Sequence, residues 1–185
     1  MRTAWLLHGI GGDDKDYFWF ADTKKYLESK DYQVWWPLLP LAKKPSLDET
    51  RSYIQKNMPG LDQETIIIGH AGACPVILSF LQSIDVELKQ AILVSGFYGA
   101  LNDKNHDKLL EKDYRWDDIK SIVREIILIN SDNDPWGYDN KQAQAAAKKL
   151  DAALVVAVGQ GHIGSKKFHQ PYSEFPLLKQ LLSVN

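Results

Sequence analysis

The chain has 185 residues, 44% apolar and 25% charged, with a net charge of −2 and one cysteine. These values fit an ordinary globular protein with one well-buried core. They exclude a basic excess that would draw in nucleic acid or anionic lipid, an internal disulfide and a cysteine-rich zinc site. With only Ala4 to Leu7 as an apolar run in the opening MRTAWLLHG, no signal core or membrane span is expected there. The expectation is a single cytoplasmic domain over residues 1–185.

In chain order, the first strand is expected at Thr3–Leu7, followed by His8-Gly9-Ile10-Gly11-Gly12. A glycine-rich turn can point backbone N–H groups at an anion or oxyanion, though alone it is equally an ordinary turn. A dinucleotide fingerprint would need glycine at position 14, which is Asp14. The second strand is expected at Gln33–Trp36 and the third at Thr65–Ile68, which runs into GHAGACPV. A β-branched strand entering a helix through small residues is the build of a nucleophile elbow, with Ala71 at the tip where a serine would stand. His70 reads as a packed structural residue, since it points away from the tip.

Ile77, Phe80, Leu81 and Ile84 then share one helix face, with Pro75 in the first turn. A fourth strand follows at Ala91–Val94, and Trp116, Ile119 and Val123 suggest a helix with Asp117 near its start. The fifth strand, Ile126–Ile129, leads to Ser131-Asp132-Asn133-Asp134-Pro135-Trp136. An Asp-Pro pair alone usually just ends an element. Ala143, Ala146, Ala147 and Leu150 form a helix face before the sixth strand, Leu154–Val158. Next comes Gly159-Gln160-Gly161-His162-Ile163-Gly164, and a last helix carries Phe175, Pro176, Leu178 and Leu182. Apolar strands alternating with amphipathic helices imply a parallel sheet covered on both faces, with its site at the strands' carboxyl ends.

Jointly the motifs say more than they do singly. Tip residue 71, Asp134 and His162 follow three strands in the order nucleophile, acid, base, which is the order of α/β-hydrolases. In that chemistry the histidine takes the nucleophile's proton and the carboxylate orients the imidazole. No serine enters the elbow in either register, and Ser79 lies about two helical turns further on.

WLLHGIGG, IIIGHAGAC, NSDNDPWG and GQGHIG together make the chain resemble the small lidless α/β-hydrolases of the retinoblastoma-binding-protein-nine family, which includes the bacterial YdeN-type proteins. The resemblance runs over nearly the whole chain. It implies a compact α/β-hydrolase fold whose six-stranded parallel sheet has order 2-1-3-4-5-6. Helices would lie on both faces, and Gly96 to Arg115 would be a polar loop instead of a cap. It also implies the acid at Asp134, the base at His162, oxyanion donors at Ile10 and Gly72, and a nucleophile position occupied by Ala71. Trp19, Phe97, Trp116 and Trp136 are candidates for the wall of a shallow substrate pocket, though each could be core.

The substrate expected is a small-molecule ester or amide, with no metal or organic cofactor, no nucleic acid and no membrane. No protein partner can be read, and the L-x-C-x-E motif is absent. As written the chain should be silent, whether the serine was replaced by design or by descent. Two alternatives stand beside this reading. One is a non-catalytic ligand- or protein-binding module. The other makes Cys74 the nucleophile, against which stands its place three residues past the tip.

Overall fold

Each expected strand forms in the computed structural model, which describes residues 2–11, 18–42, 44–170 and 172–184. The strands are β1 (Arg2–Leu7), β2 (Tyr32–Trp35), β3 (Ile66–His70), β4 (Leu88–Val94), β5 (Val123–Asn130) and β6 (Ala153–Val156). They pair in parallel in the order β2-β1-β3-β4-β5-β6. Their apolar continuity follows from burial on both faces: every residue of β3 is buried, whereas the edge strand β6 is partly exposed.

Side-chain alternation divides the core into two layers. Trp5 and Leu7 of β1 face one way, with Ile67, Leu93 and Leu128, against α2 (Leu47–Asn57), α3 (Ala73–Leu81), α4 (Trp116–Ser121) and α5 (Asn140–Leu150). Ala4 and Leu6 face the other way, with Ile66, Ile68 and Ile92, against α1 (Phe20–Glu28) and α6 (Pro176–Leu181).

The four predicted residues of α5 are all buried, and Asp139 caps that helix by accepting from the N–H groups of Lys141 and Gln142. Two expected faces run past the helices that carry them. Ile84 lies beyond the end of α3, packed against the core. Val123 opens β5 opposite Leu88 instead of continuing α4, because a β-branched residue suits the pleated sheet. Phe175 and Leu182 flank α6 and are buried with it. Between β4 and α4 the chain adds only a 3₁₀ turn, Asp107–Leu109, and no cap domain.

Candidate active site

Ile10, Ala71, Gly72, Asp134 and His162 follow the carboxyl ends of β1, β3, β5 and β6. The elbow is built from backbone. Ala71 stands between β3 and Gly72, the N-cap of α3, with φ of 53°, a left-handed conformation that costs an L-residue about 1–2 kcal/mol. Its N–H donates to the Val94 carbonyl at 2.9 Å, and its own carbonyl accepts from the Cys74 N–H at 3.0 Å. The neighbours leave no room for side chains. A Cβ on Gly9 would lie 2.8 Å from the Ala71 Cβ and 3.0 Å from the Gly72 nitrogen, and one on Gly69 would collide with Ile77. A Cβ on Gly72 would lie 3.5 Å from the Ile10 nitrogen, so the two residues expected to supply oxyanion donors are neighbours beside the tip.

His162 and Asp134 meet. The imidazole Nδ1–H donates to Asp134 Oδ2 at 2.7 Å, while Asp134 Oδ1 accepts from the Trp136 N–H at 2.8 Å. That pairing leaves Nε2 as the basic nitrogen. Both side chains are buried, which shields their hydrogen bond from competing water.

The loop carrying the histidine is tied from several sides. The His162 carbonyl accepts from Ser95 Oγ and from His70 Nε2, each at 3.0 Å, and its N–H donates to Gln170 Oε1 at 2.9 Å. Asn133 Oδ1 accepts from the Gly161 N–H and Asp132 Oδ1 from the Gly159 N–H, both at 2.8 Å. Gly161 has φ of 58° with the Gln170 amide directly over it, so this position requires glycine.

His70 has the structural role expected of it. Burial first, and the neighbouring His162 second, push its pKa down to about 3, so the ring is neutral near pH 7. His8 accepts from the Leu39 N–H through Nε2 at 2.9 Å and donates through Nδ1 to the Gly9 carbonyl at 2.8 Å. Cys74 is fully buried inside α3, and burial pushes its thiol up, away from the thiolate that nucleophilic attack needs.

A cavity of about 490 Å³ opens over Ala71, within the usual range for a small-molecule site. Ile10, Ala71, Gly72 and His162 line it, together with the rings of Phe18, Phe20, Trp36, Trp136 and Tyr138. Of the four predicted wall residues, Trp136 alone is among the lining. Trp19 lies one layer deeper, stacked on Phe20 with its indole N–H donating to the Ile163 carbonyl at 3.0 Å. Phe97 is behind Tyr138, at 4.8 Å between ring centroids. Trp116 sits on α4, beneath the Lys149 ammonium and against Tyr114. The lining ring Phe20 follows the buried Trp19, and the lining ring Trp36 follows Trp35, which packs against the other core layer, so no periodicity separates wall from core there. Gln170, Asn133 and Ser95 also carried no signal, because side chains that bind distant backbone follow no repeat.

Among the described residues no group of three or more His, Cys, Asp or Glu could hold a metal ion. None of their helices is long and apolar enough to cross a membrane.

Residues 4–182 match the family described as serine hydrolase. The chain is 31% identical over 111 residues to the serine hydrolase RBBP9 of Rattus norvegicus, an alignment covering 59% of this chain and 58% of the rat protein. It is 25% identical over 167 residues to the putative hydrolase YdeN of Bacillus subtilis, covering 87% and 85% of the two chains. The crystal structure of the B. subtilis ydeN gene product superimposes with a TM-score of 0.87 at 22% identity, over 98% of this chain and 96% of that one. The chain belongs to the serine hydrolase family and has the α/β-hydrolase fold.

Proposed function

We propose that this chain is a single-domain scaffold for hydrolysing a small carboxylic ester or amide, silent as written because Ala71 occupies the nucleophile position. The observation that carries the reading is the 2.7 Å contact between Asp134 Oδ2 and Nδ1 of His162, a residue that lines one cavity with Ala71. The left-handed backbone at Ala71 supports it, since such strain gathers at functional sites.

With serine at 71, Oγ would attack the substrate carbonyl while His162 Nε2 accepts its proton. The N–H groups of Ile10 and Gly72 would stabilise the oxyanion, and Asp134 the imidazolium. His162 would then return the proton to the departing alcohol or amine, leaving an acyl group on residue 71 for water to release. With a methyl there, no bond to the substrate can form. Substrate could still bind, so the same cavity also suits a non-catalytic binding module, and Ala71 itself favours that second reading. A cytoplasmic location fits either.

Ala71→Ser decides between them, assayed with a short-chain p-nitrophenyl ester and a fluorophosphonate probe beside the unaltered chain. Labelling and turnover by the serine form alone would establish the hydrolase. Inertness of both, with folding intact, would favour the binding module.

A further inference from the structure

The cavity's aromatic wall has an unfinished edge. Trp19 is wholly buried and stacks on Phe20 with centroids 4.3 Å apart and planes 13° from parallel. Phe20 stacks in turn on Trp36 at 5.8 Å and 17°. The stack therefore begins in the core and ends at Trp36, a half-buried ring lining the cavity. Among the described residues Phe20 is the one ring against Trp36. Across the cavity, Trp136 differs: the Lys167 ammonium lies 4.4 Å from its ring centroid and Phe168 meets it edge-on at 5.3 Å. Its aromatic surface is already engaged, whereas among the described residues Trp36 has no ring or cation over it besides Phe20.

We infer that the site takes substrates bearing a planar aromatic ring, seated against Trp36 as the next member of the Trp19–Phe20–Trp36 stack. A flat ring can lie parallel to an indole at van der Waals distance over its whole area, and offset stacking adds an attraction that a puckered aliphatic ring of similar size lacks. Trp36 is already held by its stack on Phe20, which is itself backed by the buried Trp19. The cavity of about 490 Å³ leaves room for one such ring and the reacting carbonyl. The inference rests on the hydrolase reading for its ester or amide bond but not for the ring.

Two matched pairs test it in the Ala71→Ser form: ethyl phenylacetate against ethyl cyclohexylacetate, and benzyl acetate against cyclohexylmethyl acetate. The aromatic member of at least one pair should show a kcat/KM about 2- to 10-fold higher. Trp36→Leu should erase that preference, lowering kcat/KM for the aromatic esters more than for the aliphatic ones, and Trp36→Phe should preserve it. Equal turnover within both pairs, or a preference that survives Trp36→Leu, overturns the inference and leaves the hydrolase reading standing. Saturation-transfer NMR with ethyl phenylacetate and ethyl cyclohexylacetate on the unaltered chain separates the two failures. Tighter binding of the aromatic ester there, lost in Trp36→Leu, upholds the ring site even if Ala71→Ser hydrolyses nothing. Indifferent binding with no hydrolysis sinks both.

Discussion

The elbow and the acid–histidine corner lie in one cavity but are held in different ways. The elbow is fixed by main chain: Ala71 is pinned through its own N–H and carbonyl, and Gly9 packs so close that a Cβ there would clash with it. The corner is fixed by side chains reaching across to backbone, with Asn133, Asp132 and Gln170 each accepting from an N–H of the 159–162 loop. An elbow built from backbone keeps its shape whichever small side chain stands at its tip. A corner built from side chains can be dismantled one substitution at a time. This is why an alanine at the tip is compatible with an acid and a base still in contact.

The largest effect should come from breaking the corner at its centre. In the Ala71→Ser background, His162→Gln should remove the turnover gained, on the order of 10⁶-fold, and Asp134→Asn about 10⁴-fold. Steady-state rates on a p-nitrophenyl ester check both, and a small loss in either would mean the corner is not the engine of the site.

Crowding the elbow comes next. Gly9→Ala would place a methyl 2.8 Å from the Ala71 Cβ and should cost about 1–3 kcal/mol in urea unfolding. Unchanged stability would show that the main chain there is slacker than described.

The corner also carries a pH signature through His70. Its pKa falls to about 3 on folding against an ordinary value of 6.5. Above 6.5 neither the native nor the unfolded ring is charged. As pH falls from 6.5 towards 3 the unfolded chain binds a proton that the native one refuses, so stability drops by about 1.4 kcal/mol per pH unit. His70→Gln should remove that part of the slope between pH 6 and pH 4, measured by denaturant midpoints.

A smaller effect is expected from Asn133→Ala, which leaves the Gly161 N–H without its acceptor. About 1 kcal/mol should be lost, with faster hydrogen exchange confined to the 159–162 loop. The smallest belongs to Cys74→Ala, under about 1 kcal/mol, and native Cys74 should stay unlabelled by iodoacetamide at neutral pH.

The same contrast governs how far the amino-acid sequence could be read. β-Strands buried on both faces announce themselves as apolar runs, so Ile66–Ile68 and Ile126–Ile129 were legible, and with them the loops that follow. Glycines flanking position 71 were legible because close main-chain approach excludes other residues. The helix Leu47–Asn57 escaped notice: Leu47, Thr50 and Ile54 are its buried residues, too sparse a stripe among charges, although Ser46 and Glu49 form the start of a capping box. The ties to backbone from Gln170 and Asn133 were illegible, since a loop side chain's partner depends on how two strands end side by side. The wall was misread for a related reason. Trp19 and Trp36 are both tryptophans beside an aromatic or apolar neighbour, and three-dimensional layering alone sends the first inward and the second to the cavity.

Layering of the tryptophans also gives the protein an optical readout of its own. Trp5 and Trp19 are wholly shielded, and their emission should lie at short wavelength whatever the cavity holds. Trp36 and Trp136 line the cavity and are half-exposed, so solvent relaxation sends their emission to the red. Trp35 and Trp116 are also partly exposed but lie outside the cavity, so a molecule that displaces solvent from Trp36 and Trp136 lowers the red edge over a fixed background. No label, chromogenic substrate or turnover is needed.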